Sequence, residues 1–173
     1  VSGCGTGKTL MATAATAKLL TGKTGSVLVL FPTLGLLEQT YRVWRAEFPR
    51  RFEALAVCSQ KVGGAIDDED IGSDDLTVPS TTSPEQLAQW LADTGGIRVV
   101  FATYQSLGVI TAAHKLFGAQ PWSVAVCDEA HRTVGRRGKP FAAILDQRHV
   151  PADHRLFFTA TPKEHSGGAR ARS

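Results

Sequence analysis

Apolar residues in this chain come in short continuous bursts, separated by stretches with helical spacing. The bursts are Val27-Leu28-Val29-Leu30-Phe31, Ala54-Leu55-Ala56-Val57-Cys58, Val99-Val100-Phe101-Ala102, Val124-Ala125-Val126-Cys127 and Leu156-Phe157-Phe158. Each is rich in branched or aromatic side chains and does not alternate with polar residues. Strands covered on both faces carry this signature, which predicts a parallel sheet sandwiched between helices.

The helical stretches fall between the bursts. Residues 7–20 are rich in Ala and Leu, and Gly22 is placed to end that helix. Leu34, Leu37, Tyr41, Trp44 and Phe48 recur at helical intervals as one apolar stripe, which Pro49 closes. Ser83-Pro84-Glu85 sets an N-cap before a Pro at the first helical position. Leu87, Trp90 and Leu91 are then predicted to face the core, and Gly95-Gly96 to end the segment. A fourth helix is expected from about Tyr104 to Leu116, and a short fifth over Phe141 to Leu145. Strand alternating with helix predicts a doubly wound, mainly parallel α/β domain over residues 1–162. Residues 163–173 hold no apolar anchor and read as a flexible tail.

A chain of 173 residues, 43% hydrophobic and 20% charged, has room for one such domain. The balance excludes a disordered tail, a coiled coil and a collagen-like chain. No apolar run approaches the roughly 18–20 residues of a membrane helix, and no basic-flanked leader opens the chain. Cys4, Cys58 and Cys127 are too far apart for metal-ligand or redox spacing and fit reduced thiols. The expected setting is cytoplasmic, with no membrane partner. Val1 is not an initiator Met and the candidate chemistry starts at residue 2, so the chain reads as cut from a longer one.

The net charge of +3 is unevenly spread. Residues 67–75 hold six acids and no base, which leaves nineteen bases against ten acids elsewhere. This stretch lacks calcium-loop spacing and reads as a solvated surface loop. The positive remainder suits a polyanionic partner.

Ser2-Gly3-Cys4-Gly5-Thr6-Gly7-Lys8-Thr9 has the make-up of a phosphate loop. Small residues let backbone N–H groups converge on anionic oxygens, and a helix N-terminus directly behind adds its positive end. Lys8 suits the β and γ phosphates, and the Thr9 hydroxyl suits Mg²⁺. The strict pattern has Gly where Ser2 stands; Cys4 is a small filler rather than a nucleophile. In Val124-Ala125-Val126-Cys127-Asp128-Glu129-Ala130-His131 an apolar strand delivers carboxylates to the edge of the sheet where α/β folds bind ligands. Asp128 is the natural Mg²⁺ partner, and Glu129 is placed to orient or deprotonate an attacking water. A phosphate loop and a strand-borne acid pair are the two halves that phosphoryl transfer needs. Phe158-Thr159-Ala160-Thr161-Pro162 follows another strand and, taken alone, is a strand-to-loop turn.

Taken in order, Gly-Cys-Gly-Thr-Gly-Lys-Thr, Asp-Glu-Ala-His and Thr-Ala-Thr-Pro resemble motifs I, II and III of superfamily 2 helicases. The branch is the Asp-Glu-Ala-His type that includes restriction-enzyme translocase subunits and related bacterial helicases. Phe31-Pro32-Thr33-Leu34, with Gln39 downstream, is similar to motif Ia, and Phe101-Ala102-Thr103-Tyr104-Gln105-Ser106-Leu107 to motif Ib. The resemblance spans residues 2–162 and implies a RecA-like first motor domain that uses ATP and Mg²⁺. It implies that Gly3, Cys4, Gly5, Thr6, Gly7, Lys8 and Thr9 bind the nucleotide, that Thr9 and Asp128 hold the metal, and that Lys8, Asp128 and Glu129 are catalytic. It further implies that Pro32, Thr33, Thr103 and Tyr104 face a nucleic-acid backbone, DNA ahead of RNA. His131, Thr159 and Thr161 would couple the two sites. Arg132, Arg136, Arg137 and Lys139 form a basic run that reads as a solvated loop ahead of a nucleic-acid contact.

The strand that leads into a phosphate loop is not found before Ser2, and a second motor domain with motifs IV to VI and an arginine finger is not found in this chain. The expectation is a domain with little turnover by itself. The missing strand is expected to lie centrally, beside the strand that carries Asp128. An empty slot there would destabilise the chain, and about ten upstream residues would restore it. The rival readings are a phosphate-loop switch without motor action and an inactive gene fragment.

Overall fold

The computed structural model describes residues 5–58, 77–128 and 146–158. In chain order these form α1 (Gly5–Leu19), β1 (Gly25–Phe31), α2 (Gly35–Glu47), β2 (Phe52–Val57), β3 (Ser80–Thr81) and α3 (Pro84–Leu91). β4 (Ile97–Thr103), a 3₁₀ turn (Tyr104–Ser106), α4 (Leu107–Phe117), β5 (Trp122–Asp128) and β6 (Ala152–Phe158) follow. The expected helix at 141–145, the acidic stretch and the tail lie outside the described residues.

The strands form one sheet in the order β3-β2-β4-β1-β5-β6, with every pairing parallel. The continuous apolar bursts resolve into alternating faces. Val27, Val29 and Phe31 of β1 and Val124 and Val126 of β5 pack with Ala12 of α1 and Leu37 and Trp44 of α2. Leu28 and Leu30 of β1 and Ala125 and Cys127 of β5 pack instead with Leu87 and Leu91 of α3 and Ile110 and Ala113 of α4. Both faces of the central strands are thus dry, and this is why no polar residue interrupts them.

Local rules set the ends of the helices. Ser83 caps α3, its side chain accepting from the Gln86 N–H, with Pro84 next in line. Gly22 and Gly118, at φ of 68° and 66°, make the left-handed turns that follow α1 and α4. Arg50 donates to the carbonyls of Leu20 and Lys23 at 2.9 and 2.6 Å, a long-range closure beyond the end of α1. Arg45 lies over the Phe52 ring and donates to the Phe52 carbonyl, which fastens α2 to β2.

Two expectations are corrected. β5 is paired in parallel with β1 on one side and β6 on the other, so no vacancy lies beside the strand that carries Asp128. The place expected for a strand before the phosphate loop, beside β5, is thus filled by β1 and β6. β6 is not covered on both faces: Phe157 is 41% exposed, and Asp153 and His154 are exposed too. Trp90 packs against the core as expected, half-buried at its rim beneath the guanidinium of Arg98, which Asp93 holds at 2.7 Å.

Candidate active site

A parallel sheet brings the ends of its strands to one edge. Here Phe31 of β1 is in register with Thr103 of β4, Leu30 with Cys127 of β5, and Asp128 with Phe158 of β6. Among the described candidates, Pro32, Thr33, Thr103, Tyr104 and Asp128 end or directly follow these strands, so the topology brings them to one edge.

α1 opens there with Gly5 and Thr6. Gly7 is exposed, and a Cβ built on it would meet no described atom within 4 Å, so an anion can approach its backbone. Lys8 is half-buried and Thr9 buried. Both line one small cavity with Asp128, together with Thr40 and Trp44 of α2 and Phe158 of β6. Its volume of about 10 Å³ is on the scale of one water. The arrangement thus gathers an ammonium, a hydroxyl and a carboxylate at the first turn of a helix, where the backbone dipole adds positive potential. These donors fit a phosphate chain with a divalent cation: Lys8 for anionic oxygens, Thr9 and Asp128 as hard oxygen ligands.

Cys127, next to Asp128, is fully buried, and burial pushes its thiol up to about 12 against a smaller opposing pull from Arg155. It stays a neutral core residue and offers no nucleophile. Gly3, Cys4, Glu129, His131, Thr159 and Thr161 lie outside the described residues.

The residues expected to face nucleic acid divide. Thr33 is exposed and Pro32 half-buried at the end of β1. Thr103 and Tyr104, however, turn inward at 5% exposure each. The Thr103 and Ser106 hydroxyls share a hydrogen bond of 3.0 Å, and the Tyr104 hydroxyl donates to the Asp128 main-chain carbonyl at 2.7 Å. The outward side chain of this turn is Gln105. The sequence reading also missed Thr40 and Trp44 as walls of the site. The stripe on α2 placed Trp44 in the core, but which strand it would cross depends on the sheet order.

A profile of the family described as "Type III restriction enzyme, res subunit" (ResIII) matches residues 1–164. The chain belongs to this family. Among solved structures, this ResIII chain is similar to a nuclease-deletion mutant of the Type ISP restriction-modification enzyme LlaGI in complex with a DNA substrate mimic. The two share 34% identity at a TM-score of 0.73, over 91% of this chain and 13% of the LlaGI chain. The ATP-dependent Type ISP enzyme LlaBIII bound to DNA is similar at 33% identity and a TM-score of 0.72, over 91% of this chain and 11% of that one. The Hef helicase domain of Pyrococcus furiosus is similar at 26% identity and a TM-score of 0.55, over 92% of this chain and 28% of that one. The ResIII chain therefore spans about an eighth of the length of the LlaGI protein it matches. A comparison with curated protein sequences finds no match. The fold is that of a RecA-like helicase domain. Among the described residues no helix is long and apolar enough to cross a membrane.

Proposed function

We propose that this chain is the nucleotide-binding first motor domain of an ATP-dependent translocase or helicase that acts on DNA in the cytoplasm. The observation that carries the reading is the convergence of Lys8, Thr9 and Asp128 on one cavity behind the first turn of α1. The backbone of Gly3–Thr9 holds the phosphates and Lys8 neutralises their terminal oxygens. Thr9 and Asp128 hold Mg²⁺, and Glu129 orients the attacking water as the residue directly after Asp128. Mg²⁺ held by Thr9 and Asp128 would supply positive charge to the phosphates. His131, Thr159 and Thr161 belong to the link between this site and the nucleic acid, and a second motor lobe supplies the arginine finger.

Nucleic acid is taken along the ends of β1 and β4. Pro32, Thr33 and Gln105 present short polar or neutral surface there, suited to grip a backbone without reading bases. DNA is favoured over RNA because two structures similar to this chain, the LlaGI and LlaBIII enzymes, were solved with DNA or a DNA mimic.

The test is ATP hydrolysis by the full-length protein, alone and with duplex DNA, single-stranded DNA or RNA, in wild type and Lys8→Ala. Stimulation by DNA and loss of Mg-ATP binding in Lys8→Ala are expected. Nucleotide binding without stimulation by any nucleic acid would favour the switch reading. Unchanged Mg-ATP affinity in Lys8→Ala would defeat the phosphate-loop assignment.

A further inference from the structure

One hydrogen bond ties together two strands that are not neighbours. β1 separates β4 from β5 in the sheet. Yet the Tyr104 hydroxyl, one residue past the end of β4, donates at 2.7 Å to the main-chain carbonyl of Asp128, the last residue of β5. The bond therefore reaches past the end of the central strand and joins the β4–α4 turn to the peptide of a residue that lines the cavity with Lys8.

The turn is closed by its own bonds. Its hydroxyl pair, Thr103 with Ser106, is buried, and the Leu107 N–H closes it onto the Tyr104 carbonyl. Tyr104 points inward and Gln105 outward from consecutive positions in this closed turn. A ligand on the Gln105 side would therefore meet a turn whose inner side is bonded to Asp128.

We infer that Tyr104 is a positioning residue that couples occupancy of the β4–α4 turn to the Asp128 end of β5. This rests on the motor reading above, which supplies the nucleotide at one end and the nucleic acid at the other. The Tyr104–Asp128 bond keeps its geometry only when turn and strand end are in matching positions, and weakening a hydrogen bond has a cost. Each ligand therefore biases the position that the other meets, with equal effect in both directions. One neutral hydrogen bond corresponds to a change of roughly 2- to 10-fold in the linked affinity. The role differs from that of a backbone contact, because the Tyr104 side chain is turned inward onto the Asp128 carbonyl.

The experiment measures the affinity of the full-length protein for a labelled DNA oligonucleotide with and without a saturating non-hydrolysable ATP analogue and Mg²⁺. The quantity read is the ratio of the two affinities within each variant, so that a general loss of binding cancels. In wild type the ratio is expected to depart from one, and in Tyr104→Phe, which removes only the hydroxyl, to move towards one by roughly 2- to 10-fold. Should Tyr104→Phe fail to fold, 3-fluorotyrosine placed at position 104 keeps the ring and makes a stronger donor, and the ratio should then move further from one. A wild-type ratio of one, or a ratio that neither replacement moves, overturns the inference while leaving the motor reading intact. Wild-type protein that binds nucleotide but no nucleic acid overturns the motor reading, and the inference with it.

Discussion

His114 shows how one side chain can carry a pH dependence. Its Nδ1–H donates to the Ala119 carbonyl at 3.0 Å, and its ring meets Trp122 edge-on at 5.7 Å. The Nε2 atom is buried and has no hydrogen-bond partner among the described residues. Burial holds the imidazole below its ordinary value of 6.5, and the Ala119 bond offsets this only in part. The folded state therefore prefers neutral His114, and the unfolded chain binds the extra proton first. By this group the protein is at its most stable above pH 6.5 and loses stability as the pH falls from there towards the folded-state value. Asn at this position can still donate to Ala119 but does not titrate. Thermal unfolding of His114→Asn, followed against pH, should lose the part of the acid-side slope that wild type shows just below pH 6.5. A parallel slope in the two proteins would assign the pH dependence elsewhere.

At the scale of elements, close packing leaves β1 little freedom where it begins. A Cβ on Gly25 would run into the Ser123 hydroxyl and lie 3.0 Å from the Ser123 Cβ, with Leu20 at 3.3 Å. Gly25→Ala should therefore destabilise by about 1–3 kcal/mol, the usual range for overpacking. Adding Ser123→Gly removes both Ser123 atoms and should recover part of that loss in urea denaturation. The same crowding explains what the sequence could and could not disclose. The apolar hearts of β1, β2, β4 and β5 were legible because a strand covered on two faces has no room for polar residues. Their beginnings were not, since Gly25 and Ser26 carry no apolar signal and are fixed by β4 and by Pro121 just ahead of β5. β3 is two polar residues long, and its pairing with Ala56 and Val57 comes from proximity rather than pattern. The α3 cap was readable in full, because Ser83, Pro84 and Gln86 act within one turn. Lys8, Thr9 and Asp128 were singled out by their motifs, and they line one cavity. The inward turn of Tyr104 was not, because a tyrosine after a strand has the same composition whether its hydroxyl meets a phosphate or a carbonyl.

At the scale of the molecule, charge is segregated along the chain. Six of the sixteen acids fall within residues 67–75, and the remainder carries a surplus of nine positive charges. Replacing those six acids by Ser or Asn should speed association with DNA at low ionic strength. The gain should fade near 0.15 M salt, where the screening length is about 8 Å. Stopped-flow association rates against salt test this; a gain that persists at high salt would point to a local contact instead of a field. The order of the strands has a different consequence, in time. β1 is complete at Phe31, but its two neighbours are complete only at Thr103 and Asp128. At ~5–20 residues per second, a ribosome needs roughly 5–20 s to make the chain between Phe31 and Asp128. Until Thr103 is made the most apolar strand of the protein has neither partner, and until Asp128 is made it still lacks one. Newly made chains should be clients of holding chaperones for those seconds, and slow codons between β1 and β5 should lower the yield of folded protein.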